Sequence, residues 1–246
     1  MDKKPIVIDL FCGLGGWSEA FIAEGYECIG YDIEAHDYGT GGYPGKLILR
    51  DVRSIHGSEF KDAAIIVASP PCQEYSYMAM PWSLAKAKAK AIKADETGVM
   101  RLHLTLLFNE CFRLQREASE AAGHHIPLIV ENVGGAQKWV GRAQWNYGSF
   151  YLWGDIPALM PMTFKARKND VTAAQAYREG IKQPGISGVR KNGKGNKWFQ
   201  DGAAKYGSRS NSRKAASAMI AKIPFPLAQH IARCYYPKMM KLVANG

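Results

Sequence analysis

A cysteine stands where an apolar run breaks. Residues 63–68 are continuously apolar, and S-P-P-C-Q-E-Y-S follows at 69–76. Proline fixes its own φ and lacks a backbone donor, so Pro70 and Pro71 end a strand rather than extend it. Cys72 is thereby expected just past a strand's carboxyl end, where open α/β sheets collect ligands and chemistry. A second apolar run, 127–130, leads into E-N-V-G-G, so Glu131 is expected at a neighbouring strand end. A thiolate adds to an electron-poor ring carbon, and a protonated carboxyl that hydrogen-bonds a ring nitrogen favours that addition. The pair suits substitution on a pyrimidine.

Other elements must position these two side chains. Residues 6–10 predict a first strand, which runs into D-L-F-C-G-L-G-G and then a helix through Trp17, Ala20, Phe21 and Glu24. Strand, glycine turn and helix let a ligand approach the backbone closely, although any tight βα turn uses glycine. Residues 27–31 predict a second strand ending at Asp32. An acid there suits ribose hydroxyls, or is equally a surface turn residue. Short strands are expected at 47–49, before Asp51, at 65–68, at 127–130 and at 150–153. Residues 80–94 carry Lys86, Lys88, Lys90 and Lys93 among alanines: a basic, helix-prone lid or a solvated helix face. Leu102, Leu106, Leu107, Cys111 and Leu114 predict an amphipathic helix reaching residue 122, and a closing helix is expected at 227–236.

Charge is unevenly placed. Residues 161–214 hold thirteen Lys and Arg against Asp170, Glu179 and Asp201, which equals the whole formal net charge of +10. A glycine-rich segment with that excess, interleaved with Trp198, Phe199 and Tyr206, fits a polyanion. Three parts are expected: 1–160 with catalytic and cofactor functions, 161–213 as a small basic recognition region, and 214–246 returning to the catalytic part. The five cysteines form no C-x-x-C pair, so neither a disulfide framework nor a metal site is expected. No apolar run approaches the ~20 residues of a membrane span, and no signal peptide is read at the amino terminus. The expectation is a cytoplasmic monomer with no membrane partner.

With these stretches in hand, the chain resembles the C5-cytosine DNA methyltransferases. D-L-F-C-G-L-G-G is similar to the family's cofactor motif, S-P-P-C-Q with Ser76 to its catalytic loop, and E-N-V to its glutamate motif, in the family's order. The resemblance implies a Rossmann-like, S-adenosylmethionine-dependent α/β sheet with helices on both faces, plus a small basic target-recognition module. It implies S-adenosylmethionine as donor, held by Asp9, Phe11, Gly13, Gly15, Asp32, Ile33, Asp51, Val52 and Pro71. Phe11 would meet the adenine, Ile33 and Val52 would flank it, and Asp51 would accept from its amino group. Cys72, Glu131 and Asn132 would carry catalysis on a cytosine flipped from duplex DNA. Substrate contacts would come from Gln73, Ser76, Lys86, Arg142, Gln144, Arg190, Lys191, Lys194, Lys197 and Arg209.

The chain departs from the family in two places. The Q-x-R-x-R strand aligns with Gln144, Asn146 and Gly148, so neither arginine is present, and Arg142 is the nearby substitute for the one that meets the cytosine's O2. The closing motif, A-K-I-P-F-P, lacks the family's Asn. Two other readings stand beside DNA methylation: the same chemistry on RNA, and a DNA-binding relative with weakened catalysis.

Overall fold

The structure is a computed structural model, and it describes residues 3–39, 41–72, 75, 82–160, 214–215, 218–219 and 221–237. The strands are β1 (Ile6–Leu10), β2 (Glu27–Asp32), β3 (Lys46–Leu49), β4 (Ala63–Ala68), β5 (Leu128–Asn132), β6 (Trp145–Tyr147) and β7 (Phe150–Gly154). The helices are α1 (Gly16–Ala23), α2 (Trp82–Ala94), α3 (Val99–Ala122), α4 (Gln137–Val140) and α5 (Phe225–Cys234). They build one seven-stranded sheet in the order β3-β2-β1-β4-β5-β7-β6. β1 to β5 are parallel, whereas β7 runs antiparallel to both β5 and β6.

The central strands are apolar because both of their faces are covered. On one face Ile8, Leu10, Ile66, Leu128 and Val130 meet Ile92 of α2, Phe108, Cys111 and Leu114 of α3, and Trp139 of α4. On the other, Val7, Ile65, Val67, Ile129 and Leu152 meet Trp17 and Phe21 of α1 and Leu227 and Ile231 of α5. The fold is therefore the expected Rossmann-like α/β sheet with helices on both faces.

The order in which strands are laid across the sheet reverses between β1 and β4. From β1 the chain moves outward to β2 and β3, and from β4 it moves the other way to β5. This reversal opens a crevice at the carboxyl ends of β1 and β4, the place where doubly wound sheets hold ligands. The C-terminal segment comes back to it. A Cβ on Gly16 would lie 2.5 Å from the Ile223 nitrogen, so only glycine admits that crossing. Tyr26 Oη donates to Ala232 O at 2.8 Å, and Arg233 pairs with Glu24 at 2.9 Å, fixing α5 against the start of β2.

Several expected bounds shift. β4 starts two residues earlier than the expected 65, and β5 runs through Glu131 and Asn132 instead of stopping before them. β7 supplies the reason: it pairs Glu131 with Leu152 and Asn132 with Tyr151, extending the strand beyond its apolar run. The lysine-rich stretch forms α2 from Trp82. Residues 161–213, the expected recognition region, lie outside the described residues. Among the described residues no helix is long and apolar enough to cross a membrane.

Candidate active site

The loop after β4 is held from several sides. Ser69 N–H donates to Leu10 O at 3.1 Å, continuing the β1–β4 ladder by one step. The Trp17 indole, 2% exposed, donates to Ser69 Oγ at 3.1 Å. Pro70 is buried, and its carbonyl accepts the Asn132 side-chain amide at 2.9 Å. Tyr75 N–H donates to Cys72 O at 3.0 Å, and Tyr75 Oη donates to Leu104 O on α3 at 2.8 Å. Pro71 is exposed and Cys72 half-buried.

The other four cysteines differ. Burial pushes the Cys12, Cys28, Cys111 and Cys234 thiols up, Cys28 to about 12. Cys12 is pushed further by Asp9 and Asp32. A nucleophile must reach its thiolate, so burial turns Cys12, Cys28 and Cys111 away from that role, while Cys72 and Cys234 are half-buried and Cys234 ends α5, away from the loop after β4.

Glu131 and Asn132 stand on the strand next to β4. Val130 lies opposite Ala68, so Glu131 is level with Ser69, and Asn132 reaches under the next residue of the loop. Glu131 is 8% exposed and Asn132 1%. The Asn132 side-chain oxygen also accepts from Val133 N–H at 2.8 Å, so both ends of the amide are used. Asn132 thus ties β5 to the loop after β4.

The glycine turn lies across the crevice. Phe11 takes φ 57°, the one positive φ of a non-glycine among the described residues. Left-handed backbone on an aromatic residue is strained, and such strain concentrates at functional sites. A Cβ on Gly13 would meet nothing within 4 Å, so the backbone there faces open space. Gly13 N–H donates to Asp32 Oδ2 at 3.0 Å, and Ile33 N–H to Asp32 Oδ1 at 2.8 Å. A carboxylate offers about four acceptor sites; Glu34 N–H and His36 Nε2 also stand 3.5 Å from Oδ1, so the remaining acceptor capacity of Asp32 lies on Oδ2. Ile33 is 74% exposed at the same strand end, an apolar surface for a base.

Asp9 lies at the bottom of the turn, 1% exposed. Its Oδ2 accepts from Ser18 Oγ at 2.7 Å, while Oδ1 has no hydrogen-bond partner among the described residues. Burial pushes its carboxyl up to about 8, against the lowering effect of the Ser18 hydrogen bond and with Asp32 adding to the rise. A buried carboxyl oxygen without a partner carries the cost of lost solvation. The open space at Gly13 and the exposed Ile33 leave room for a nucleoside cofactor above the turn.

On the adenine side the expectations divide. Asp51 caps the 3₁₀ turn Val52–Ser54 through Arg53 N–H at 3.0 Å, and its carboxylate is gripped by the Arg53 guanidinium at 2.5–3.0 Å. These Arg53 hydrogen bonds hold its carboxyl below the usual range. Asp51 thus remains an ionised acceptor. Val52 is 3% exposed and its side chain packs in the core under α3.

On the substrate side, Lys86 lies exposed on α2, and Arg142 lies exposed between α4 and β6. Gln144 gives its side-chain amide to Gly154 O at 3.3 Å. Gly154 is level with Ile129, two residues before Glu131, so Gln144 faces away from the crevice end of the hairpin. Gly148 turns that hairpin at φ 60° and accepts from the Asn146 amide at 2.9 Å. Gln73, Ser76, Arg190, Lys191, Lys194, Lys197 and Arg209 lie outside the described residues.

Three residues escaped the sequence reading. Trp17 holds Ser69. Tyr43 crosses from the loop before β3 to bring its hydroxyl 2.5 Å from Ser18 Oγ, joining the Asp9 hydrogen bonds. Arg53 grips Asp51. The R-D-V-R spacing carried a signal for the last, because a cation two residues after an acid can fold back on it. Nothing local pointed to the other two.

Known proteins add the following. Residues 6–116 match the family model described as C-5 cytosine-specific DNA methylase. No curated protein matches the chain. Among solved structures, a prophage-encoded protein of E. coli described as a DNA modification methyltransferase is 22% identical, with a TM-score of 0.37, over 56% of this chain. The Entamoeba histolytica methyltransferase EhMeth is 15% identical, with a TM-score of 0.40, over 70% of this chain. The S. pombe Dnmt2 methyltransferase is 11% identical, with a TM-score of 0.47, over 98% of this chain and 99% of its own. The chain spans 35% of the first of these proteins and 62% of the second. The stretch matched by that family model, under half of the chain, holds the glycine turn, Asp32, Asp51 and Cys72.

Proposed function

We propose that the protein methylates C5 of cytosine in duplex DNA, with S-adenosylmethionine as donor and Cys72 as a covalent catalyst. One observation carries the reading: Asn132 on β5 holds the Pro70 carbonyl on the loop of Cys72 at 2.9 Å. That bond ties the strand of Glu131 to the loop of the thiol, which supports the two acting on one ring. The positive charge of residues 161–214 supports a polyanionic substrate.

S-Adenosylmethionine, when bound, supplies an electrophilic methyl group. Asp9, Phe11, Gly13, Gly15, Asp32, Ile33 and Asp51 are the residues that would hold it, Asp32 towards the ribose and Asp51 towards the adenine amino group. Pro71 would lie against it from the loop.

The chain's own residues then divide the work. The cytosine leaves the stack, because its C5 and C6 are unreachable inside a duplex. Cys72, as thiolate, forms a bond to C6, and the displaced electron pair moves through the ring towards C5. Glu131, protonated, hydrogen-bonds the ring's N3 and accepts from the exocyclic amino group, stabilising the negative charge that Cys72 pushes into the ring. C5, made nucleophilic in this way, would take the methyl group as the methyl–sulfur bond breaks and its electron pair stays on sulfur, leaving S-adenosylhomocysteine. Solvent base removes the C5 proton, the C5–C6 double bond returns, and the Cys72 thiolate leaves. Asn132 keeps the loop in place throughout.

The test offers labelled donor to duplex DNA and to RNA side by side. Label is expected as 5-methylcytosine in the duplex. Transfer to RNA alone would overturn the substrate, and transfer to neither, with the cofactor bound, would favour a binding relative without catalysis.

A further inference from the structure

α3 touches both halves of the site. Near its start, Leu104 O accepts from Tyr75, three residues beyond Cys72. Two turns further, Arg113 reaches across to the segment that follows β3. Its Nη2 donates to Val52 O at 3.3 Å and to Ile55 O at 3.1 Å. Its Nε and Nη2 also bond Glu110 at 2.9 and 2.6 Å, and its Nη1 bonds Glu117 at 2.8 Å. Glu117 in turn accepts from Gly57 N–H at 2.6 Å. A Cβ on Gly57 would lie 2.2 Å from Leu114 O, so the segment is pressed onto the helix.

The chemistry matches the task. Val52 O and Ile55 O belong to the turn that Asp51 caps. A planar guanidinium fork can hold two carbonyls and two carboxylates in one fixed arrangement, which a lysine ammonium cannot. The carboxylates of Glu110 and Glu117 bond the fork from its other side and so orient it towards the two carbonyls. Asp51 is only a third exposed, and its direction is set by the turn beneath it.

We propose that Arg113 is a positioning residue for the cofactor: through the Val52 and Ile55 carbonyls it sets the turn that presents Asp51 to an adenine amino group. The inference rests on the reading of Asp51 as the adenine acceptor. Arg113 touches neither cofactor nor substrate. Its contribution is a preformed acceptor, felt in binding rather than in the chemical step.

The experiment measures binding of S-adenosylhomocysteine by calorimetry, together with kcat and KM for the donor, in the full chain. Arg113→Lys keeps the charge between Glu110 and Glu117 but loses the fork, and Arg113→Met removes both. Losing hydrogen bonds from a charged donor predicts that Arg113→Met weakens binding by about tenfold or more. KM for the donor should rise in parallel and kcat stay within about twofold, with Arg113→Lys intermediate. Asp51→Asn separates the two levels. If Asp51→Asn weakens binding and Arg113→Lys, folded, does not, the role of Arg113 is overturned while the acceptor stands. If Asp51→Asn leaves binding unchanged, the acceptor reading fails and the inference falls with it. A drop in kcat at constant KM would also overturn it.

Discussion

Asn132 and Pro70 are joined by a buried hydrogen bond, side-chain amide to backbone carbonyl, at 2.9 Å. A carbonyl just before Cys72 is thereby fixed by the residue just after Glu131. Asn132→Ala would leave that carbonyl buried without a partner. The penalty is about 1–3 kcal/mol, or a fall in Tm of roughly 2–10 °C for a chain of this size. Turnover should drop by at least about tenfold while cofactor affinity holds, because the loop and not the cofactor floor has moved. Calorimetric melting and steady-state kinetics check both parts.

Gly135 gives a second handle on the same loop. A Cβ there would lie 2.4 Å from Tyr75 O, a backbone atom that cannot swing aside. Gly135→Ala should push the turn that Tyr75 closes on Cys72, lowering kcat strongly with S-adenosylhomocysteine binding retained. Equal loss of binding and turnover would place the damage elsewhere.

Asp9 makes stability depend on pH. Burial pushes its folded carboxyl up to about 8, against an ordinary value of 3.8. A raised pKa means that the folded state holds the proton more tightly than the unfolded one. That contribution is complete below pH 3.8 and drains away as pH rises to about 8, then levels off. Asp9→Asn lacks this term. Its Tm relative to wild type, without cofactor, should therefore rise steadily between pH 5 and 8 and flatten above. Melting curves across that range read it directly; a constant difference would show that Asp9 is ionised throughout.

Much of this was legible beforehand, and the reason is locality. The turn after β1 announces itself within eight residues, and the proline break after β4 within four. What the reading missed depends on distant partners. β5 extends through Glu131 and Asn132 only because β7 pairs with them. β6 is three residues long, too short to show a period. Val52 looked like a ring neighbour, yet its side chain belongs to the core under α3. Glu110, Arg113 and Glu117 drew no reading, because only the tertiary fold brings two carbonyls of the segment after β3 to Arg113.

The lysines of α2 should contact phosphate. Lys86, Lys90 and Lys93 are exposed and share one helical face by their spacing. Replacing all three by alanine should weaken duplex binding most at low salt. The slope of log affinity against log salt should fall by up to about 3, near 0.9 per lost phosphate contact. Cofactor affinity should not change. An unaltered slope would mean that this face is merely solvated.

The most direct measurement of the central claim is a covalent trap. Duplex DNA carrying 5-fluorocytosine at the target base cannot lose a C5 proton, so a thiol that has added to C6 cannot leave. Incubation with S-adenosylmethionine should yield a stable protein–DNA adduct whose peptide map places the linkage on Cys72. Cys72→Ser should give none, and Glu131→Gln should slow its formation by about 100-fold or more. No adduct from the wild type while cofactor and DNA are both bound, or an adduct on another residue, would contradict Cys72 as the nucleophile.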